Sequence, residues 1–189
     1  MKRLVPLLAI LLGGCFFNAD SPNPFYTEAT RVRLPELVGE WDSFSYQRSL
    51  AERRTESTCV FSGGEPLRLR CYTDNGYDDS TVVPFRVGDV IFCDVSGGRR
   101  GYHNVYRVQL QGRELRLEGL NGEWLTNAIA AGTLPLPPPQ RDAASNLVFD
   151  VSSEQWIGFL AQHGTNSDAF GSGVSLTRVR SNFTPLRRP

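Results

Sequence analysis

Between Thr58 and Leu120 the chain alternates apolar and polar residues with a period of two. Tyr106, Val108 and Leu110 share one parity, while the residues between them are Arg107 and Gln109. A period of two puts successive side chains on opposite faces of a β-strand. With Gly-rich turns between the runs, the pattern predicts strands at 58–61, 67–72, 82–87, 90–95, 102–111 and 114–120.

Short turns between consecutive strands are typical of an antiparallel sheet with one face exposed to water. A long meander of this kind tends to close on itself, because closure removes its unpaired edges. The sequence therefore predicts a mostly β (α+β) fold, in which an antiparallel meander closes into a barrel or forms an open one.

The pattern changes after Leu120 and predicts two short helices in the C-terminal half. Asn121 is placed to cap a helix over 122–131. Ser152 and Gln155 form a capping-box pair at the start of a second helix, which ends at Gly164. Each helix has an apolar stripe, made by Trp124, Leu125, Ala128 and Ile129 in the first and by Trp156, Ile157, Phe159 and Leu160 in the second. A last strand is predicted over 174–180.

Leu37-Val38-Gly39-Glu40-Trp41 precedes the strands and resembles the Gly-x-Trp start of lipocalin-like barrels. The resemblance implies that Gly39 and Trp41 are structural, with Trp41 at the closed end of the barrel beneath an arginine of the last strand. Arg178 shares the parity of Val174 and Leu176, so we expect it to lie over the Trp41 ring, and Arg178→Ala to cost more stability than Arg180→Ala. The alternative is that Arg178 lies at a strand edge and extends to water.

The first fifteen residues indicate where the protein is in the cell. Lys2 and Arg3 precede an apolar run, Leu4 to Leu12, and then Gly13-Gly14-Cys15. The segment resembles a bacterial lipoprotein signal, and its apolar run is too short to span a bilayer. The resemblance implies cleavage after Gly14, lipidation of Cys15 and a membrane anchor. An ordinary secretory signal is the alternative. In Gram-negative bacteria, Phe16 instead of aspartate favours the outer membrane.

These features predict a domain organisation. Residues 1–14 are the signal peptide, 15–33 a flexible tether, 34–180 a single β-barrel-like domain and 181–189 a disordered tail. The run 119–125, the Pro-rich loop, the second helix and the run 175–179 together resemble small, functionally uncharacterised bacterial envelope lipoproteins over about residues 100–180, and that resemblance implies no activity.

Three cysteines remain once Cys15 is lipidated, namely Cys59, Cys71 and Cys93. Export places them in an oxidising compartment, where a disulfide between two of them is expected. The midpoint of 59 and 71 falls in the Gly63-Gly64 turn, which predicts that Cys59 and Cys71 pair across a hairpin and leaves Cys93 free. The alternative is a bond between Cys71 and Cys93.

The net charge and the absence of catalytic motifs restrict the possible partners and reactions. The formal net charge is zero, and no basic stripe favours nucleic acid as a partner. No phosphate-binding loop or nucleophile elbow is present, so we expect no catalytic residue, cofactor or metal. His103 is interpreted as a solvent-exposed residue of its strand. His163 is interpreted as a residue near a helix C-terminus, where a partial positive charge is favourable. The acidic turn of Asp74, Asn75, Asp78 and Asp79 is expected to be solvated and not to bind calcium.

Two function classes follow. The first is a lipid-anchored envelope binding or assembly module, which holds a small apolar ligand, a glycan or an envelope protein. The second is an enzyme or enzyme inhibitor that works on cell-wall material. The lack of a catalytic set favours the first.

Overall fold

The computed structural model describes residues 19–46, 53–73, 76–97 and 101–179. Cys15 and the rest of the signal segment, Arg99, Arg100, Arg180 and the 181–189 tail lie outside these ranges. The described strands are β1 Gly39–Tyr46, β2 Arg53–Ser62, β3 Leu67–Thr73, β4 Gly76–Val87, β5 Val90–Gly97, β6 His103–Gln111, β7 Glu114–Gly119, β8 Gln140–Arg141, β9 Leu147–Val148 and β10 Ser172–Arg178. The described helices are α1 Gly122–Ala130 and α2 Ser153–His163.

Eight strands form a closed antiparallel barrel in the order β1-β10-β7-β6-β5-β4-β3-β2. Strands β2 to β7 are a meander, and β10 returns after both helices to close the sheet between β7 and β1. The predicted closed antiparallel fold with two C-terminal helices is confirmed. The last strand begins and ends two residues earlier than predicted.

Both helices begin at the predicted caps. The Asn121 side chain accepts hydrogen bonds from two backbone N–H groups of α1. At α2, Ser152 and Gln155 form the reciprocal capping box. These bonds satisfy donors that a helix start would otherwise leave unpaired.

The barrel has one core inside and a second outside. The inner core contains Leu37, Trp41, Phe61, Leu67, Val82, Cys93, Leu115, Leu117 and Leu176. The outer core packs both helices against β4, β5 and β6, where Phe85, Phe92 and Val105 point outward and are at most 2% exposed. The predicted wet outer face is therefore wrong where the helices pack on these strands, because Phe85, Phe92 and Val105 are apolar and buried there.

The predicted tether is wrong from residue 19 onward. Ala19 is 2% exposed and Phe25 is fully buried in the outer core, where its ring lies 4.4 Å from that of Trp156. Ser21 exchanges backbone hydrogen bonds with His103, and Arg31 forms a bridge to Phe85. The folded domain thus begins before residue 34, because these apolar residues and backbone groups find partners on the barrel wall.

Candidate functional site

One end of the barrel is closed by a short 3-10 turn, Pro35–Leu37, whose Leu37 side chain is fully buried. The indole Nε1 of Trp41 donates to the Leu37 carbonyl at 2.8 Å. We call this the plugged end. The chain enters β1 through Gly39, whose φ of +139° is a conformation that side-chain-bearing residues rarely adopt.

Arg178 lies over Trp41 at the plugged end, as the sequence predicts. Its guanidinium carbon is 4.8 Å from the ring centroid, and the two residues are direct partners in the β1–β10 register. The guanidinium also donates to the carbonyls of Glu36 and Val38. The plug, the first strand and the last strand are therefore joined through one side chain.

The predicted disulfide joins Cys59 and Cys71, which face each other in the β2–β3 register with Cα atoms 4.0 Å apart. Cys59 is also opposite Trp41, so the bond lies on the inner face of the wall. Cys93 is free and 1% exposed, and burial raises the pKa of its thiol. The three cysteines therefore have structural positions in the wall.

Burial of the inner residues decreases along several strands from the plugged end to the other end. Along β3, Leu67 is buried and Leu69 half-buried, and along β5 the same change occurs from Cys93 to Val95. On β10, Leu176 is 3% exposed whereas Val174 is 39% exposed. The barrel interior is thus filled at the plugged end and less completely covered at the other.

We call the incompletely buried inner set beyond the plugged end the mouth. The three inner apolar residues of β6, Tyr106, Val108 and Leu110, are all half-buried. Leu110 is not counted in the mouth, because it lies beside the β6–β7 turn at the plugged end. The apolar members of the mouth are Leu69, Val95, Tyr106, Val108 and Val174.

A separate concavity lies at the plugged end of the barrel. It is a groove of about 460 Å³ between the segment that leads into the plug and the β2–β3 hairpin, and Leu34, Val38 and Pro84 contribute to its apolar lining. An ion pair between Arg33 and Glu65 crosses its edge. The groove is open to solvent.

His103 is not the wet strand residue that the sequence predicts. Its Nδ1 lies 2.8 Å from the Oδ1 atom of Asp94, a fully buried carboxylate that also accepts the Phe25 N–H at 2.9 Å. Burial and the Asp94 charge raise the pKa of Tyr26 nearby. The Asp94 carboxylate thus links the N-terminal segment to the barrel wall by a hydrogen bond.

His163 ends α2 against the rings of Trp124 and Phe159, at centroid distances of 5.8 and 5.2 Å. This packing explains its position. Trp156 anchors the same helix in the outer core, and its Nε1 donates to the Ser21 hydroxyl.

An aromatic and charged patch lies on the outer wall at the mouth end. Tyr72 and Tyr77 face each other across β3 and β4, with exposures of 45% and 59% and ring centroids 6.1 Å apart. Arg70 lies 4.5 Å from the Tyr77 centroid and holds Asp79 through two hydrogen bonds. Those bonds lower the pKa of Asp79.

The described part of the chain contains no cluster of three or more histidine, cysteine or acidic side chains suited to a metal ion. Asp74 and Asn75 of the acidic turn lie outside it. Among the described helices, none combines the length and apolar character that crossing a bilayer requires.

The chain matches no protein-family model, no curated protein and no solved structure.

The sequence predicted the contact between Trp41 and Arg178 but missed the Pro35–Leu37 turn, the mouth and the outer core. Alternation identifies which residues face inward, but not how deep each lies. The unbroken apolar run from Val82 to Phe85 was the available signal for the outer core, since strands buried on both faces lose alternation.

Proposed function

We propose that this protein is a lipid-anchored cell-envelope module that binds a small apolar ligand in the mouth of its barrel. The observation that carries the proposal is the graded burial of the inner face. The apolar residues of the mouth are left incompletely covered, while the plugged end is filled. An eight-stranded barrel has an interior just wide enough to hold one small ligand where its side chains do not fill it.

The free energy of ligand binding comes from covering these side chains. Removing apolar surface from water contributes about 25 cal/mol per Å². Ligand sites generally bury most of the ligand's surface among apolar side chains, which the inner face of a barrel wall can provide. An apolar molecule, or the apolar part of an amphiphile, is the ligand class that suits this lining.

The anchor is the sequence-based part of the proposal. Acylation of Cys15 adds about 0.8 kcal/mol of membrane affinity per buried CH₂ group. Cys15→Ala should therefore move the protein out of the membrane fraction or leave it unprocessed. Outer-membrane placement, on the periplasmic face, applies if the source is Gram-negative.

Two substitutions on β10 test the binding site. Val174 faces the mouth and the exposed Ser175 points to the outside of the wall. Val174→Glu puts a carboxylate among apolar residues and should weaken binding of a fluorescent fatty acid at least about tenfold, because an unpaired charge is costly in an apolar site. Ser175→Glu adds the same charge one residue away and should leave the affinity unchanged.

Fluorescence titration measures both variants, and circular dichroism confirms that both are folded. Equal affinity of the two variants and the wild type would refute the mouth as the binding site. Absence of saturable binding in the wild-type protein would refute the binding of an apolar ligand of this class.

A further inference from the structure

A row of four side chains crosses the outer wall of the barrel from β1 to β4. Asp42 on β1 is the register partner of Thr58 on β2, and Thr58 is the partner of Tyr72 on β3. Tyr72 is in turn the partner of Tyr77 on β4. Trp41, the neighbour of Asp42, belongs to the inner core, and side chains alternate along a strand, so the row faces outward. Neighbouring strands lie about 4.8 Å apart, which makes this outer row about 14 Å long.

The wall formed by β1, β2 and β3 carries most of the outer row and lies away from the outer core. Among the residues that the structure describes, no member of the outer core belongs to these three strands. Tyr72 and Tyr77 are 45% and 59% exposed, more than any other large apolar side chain in the described ranges. A ligand can therefore reach both rings, which are apolar, while their hydroxyl groups stay hydrated.

The wall holds the groups around the two tyrosines in fixed positions. The Nε and Nη2 atoms of Arg70 donate to the two carboxylate oxygens of its register partner Asp79, at 2.7 and 2.8 Å. The same guanidinium lies 4.5 Å from the centroid of the Tyr77 ring. At the other end of the row, the Thr58 hydroxyl donates to Asp42 at 2.6 Å. Side chains that are already ordered lose little conformational entropy when a ligand binds.

The charges on this wall narrow the class of ligand. Arg68 and Arg70 are positive, and Asp79 lies beside both of them. With Asp42, the wall carries both signs close together, so it favours neither a strongly anionic nor a strongly cationic ligand. The centre of a protein–protein interface is depleted of charged residues, whereas here they flank the exposed rings.

A neutral sugar chain matches this combination of groups. The faces of a pyranose ring carry C–H groups that stack on an aromatic ring, and its hydroxyl groups both donate and accept hydrogen bonds. Tyrosine supplies the apolar ring, while Arg70 has further N–H donors and Asp42 further acceptor sites. In β-linked glucans the ring hydrogens lie on the two faces of an extended ribbon, and that shape suits a straight row of strand residues.

We propose that the outer row is a binding site for a neutral, β-linked glycan chain. Sugar rings stack on Tyr72 and Tyr77, and hydroxyl groups hydrogen-bond to Arg70 and Asp42. The row lies on the outside of the wall and the mouth lies inside it, so this inference does not depend on the binding of an apolar ligand. It gives the protein a second ligand class at a separate site.

Calorimetric titration of the full chain with cellotetraose, in a detergent without sugar groups, tests the proposal. Tyr77→Ala should weaken binding about fivefold, because it removes one of the two stacking rings. Tyr77→Phe is the matched control: it keeps the ring and should change the affinity by less than about twofold. Maltotetraose, which has the same sugar units in α-linkage, should bind more weakly than cellotetraose. Circular dichroism confirms that both variants are folded.

Equal affinity of the wild type and Tyr77→Ala, or equal binding of the two glucans, would overturn the outer row as a stacking site for a β-linked chain. Absence of saturable cellotetraose binding would overturn it as well. Binding of a trilysine peptide without binding of cellotetraose would instead identify the row as a site for a basic partner, and the glycan proposal would fail. Ligand binding by the mouth is measured separately with the fatty acid, so its failure is distinguishable from these results.

Discussion

At the scale of single residues, Arg178 has the most consequential position. A guanidinium that is removed from water is costly unless its N–H groups find acceptors. Here the Glu36 and Val38 carbonyls accept hydrogen bonds from Nη2 and the Trp41 ring lies beneath the guanidinium, while the buried Nε has no hydrogen-bond partner among the described residues. The Gly-x-Trp motif and the parity of the last strand were enough to predict the contact between Arg178 and the Trp41 ring. The two carbonyl contacts could not be predicted, because they depend on how the Pro35–Leu37 turn folds.

Arg178→Ala should lower the free energy of unfolding by about 2–4 kcal/mol, because it removes charge-assisted hydrogen bonds and a cation–π contact. Arg86→Ala, at an exposed position of β4, is the control and should change it by less than about 0.5 kcal/mol. Denaturant unfolding measures both. Equal stability of the two variants would contradict a structural role for Arg178.

Cys93 gives a pH dependence of known sign. Burial raises the pKa of its thiol, so the folded protein keeps a proton that the unfolded chain loses above about pH 9. The contribution to stability is complete below that pH and declines as the pH rises. Between about pH 9 and 10.5, the unfolding free energy of the wild type should fall faster than that of Cys93→Ala, by a slope that rises toward about 1.4 kcal/mol per pH unit. Parallel pH profiles would show that the thiol ionises equally in both states.

At the scale of elements, the sequence predicted those whose pattern is local. Strand alternation and the Asn121 and Ser152 caps identified most of the meander and both helices. The segment from Ala19 to Arg33 has no period and contains prolines, so it was predicted to be a tether. Its structure comes from distant partners, such as Asp94 and Trp156, and no local pattern in the segment encodes those contacts.

The substitution Phe25→Ala tests whether the segment from Ala19 to Arg33 is packed on the barrel or is a tether. The Phe25 ring is fully buried, and replacing a buried phenylalanine by alanine typically costs about 3–5 kcal/mol. Ala29→Ser, at an exposed position four residues later, should cost less than about 0.5 kcal/mol. Thermal and denaturant unfolding of the two variants measure the difference. If Phe25→Ala leaves the unfolding free energy unchanged, the segment is a tether and is not packed on the barrel.

At the scale of the whole molecule, the barrel has two different ends. The disulfide, the plug and Arg178 hold the wall and close one end, while the outer core attaches the helices and the N-terminal segment to the outside. Neither core fills the mouth, which leaves apolar side chains partly exposed inside the wall. The central claim is that an apolar ligand covers them.

Methyl NMR of the wild-type protein, titrated with a medium-chain fatty acid, tests that claim most directly. We predict saturable shifts of the Leu69, Val95, Val108 and Val174 methyl groups, with little change at Leu34 and Val38 in the groove at the plugged end. Shifts confined to Leu34 and Val38 would place the ligand in the groove at the plugged end and contradict the mouth as the binding site.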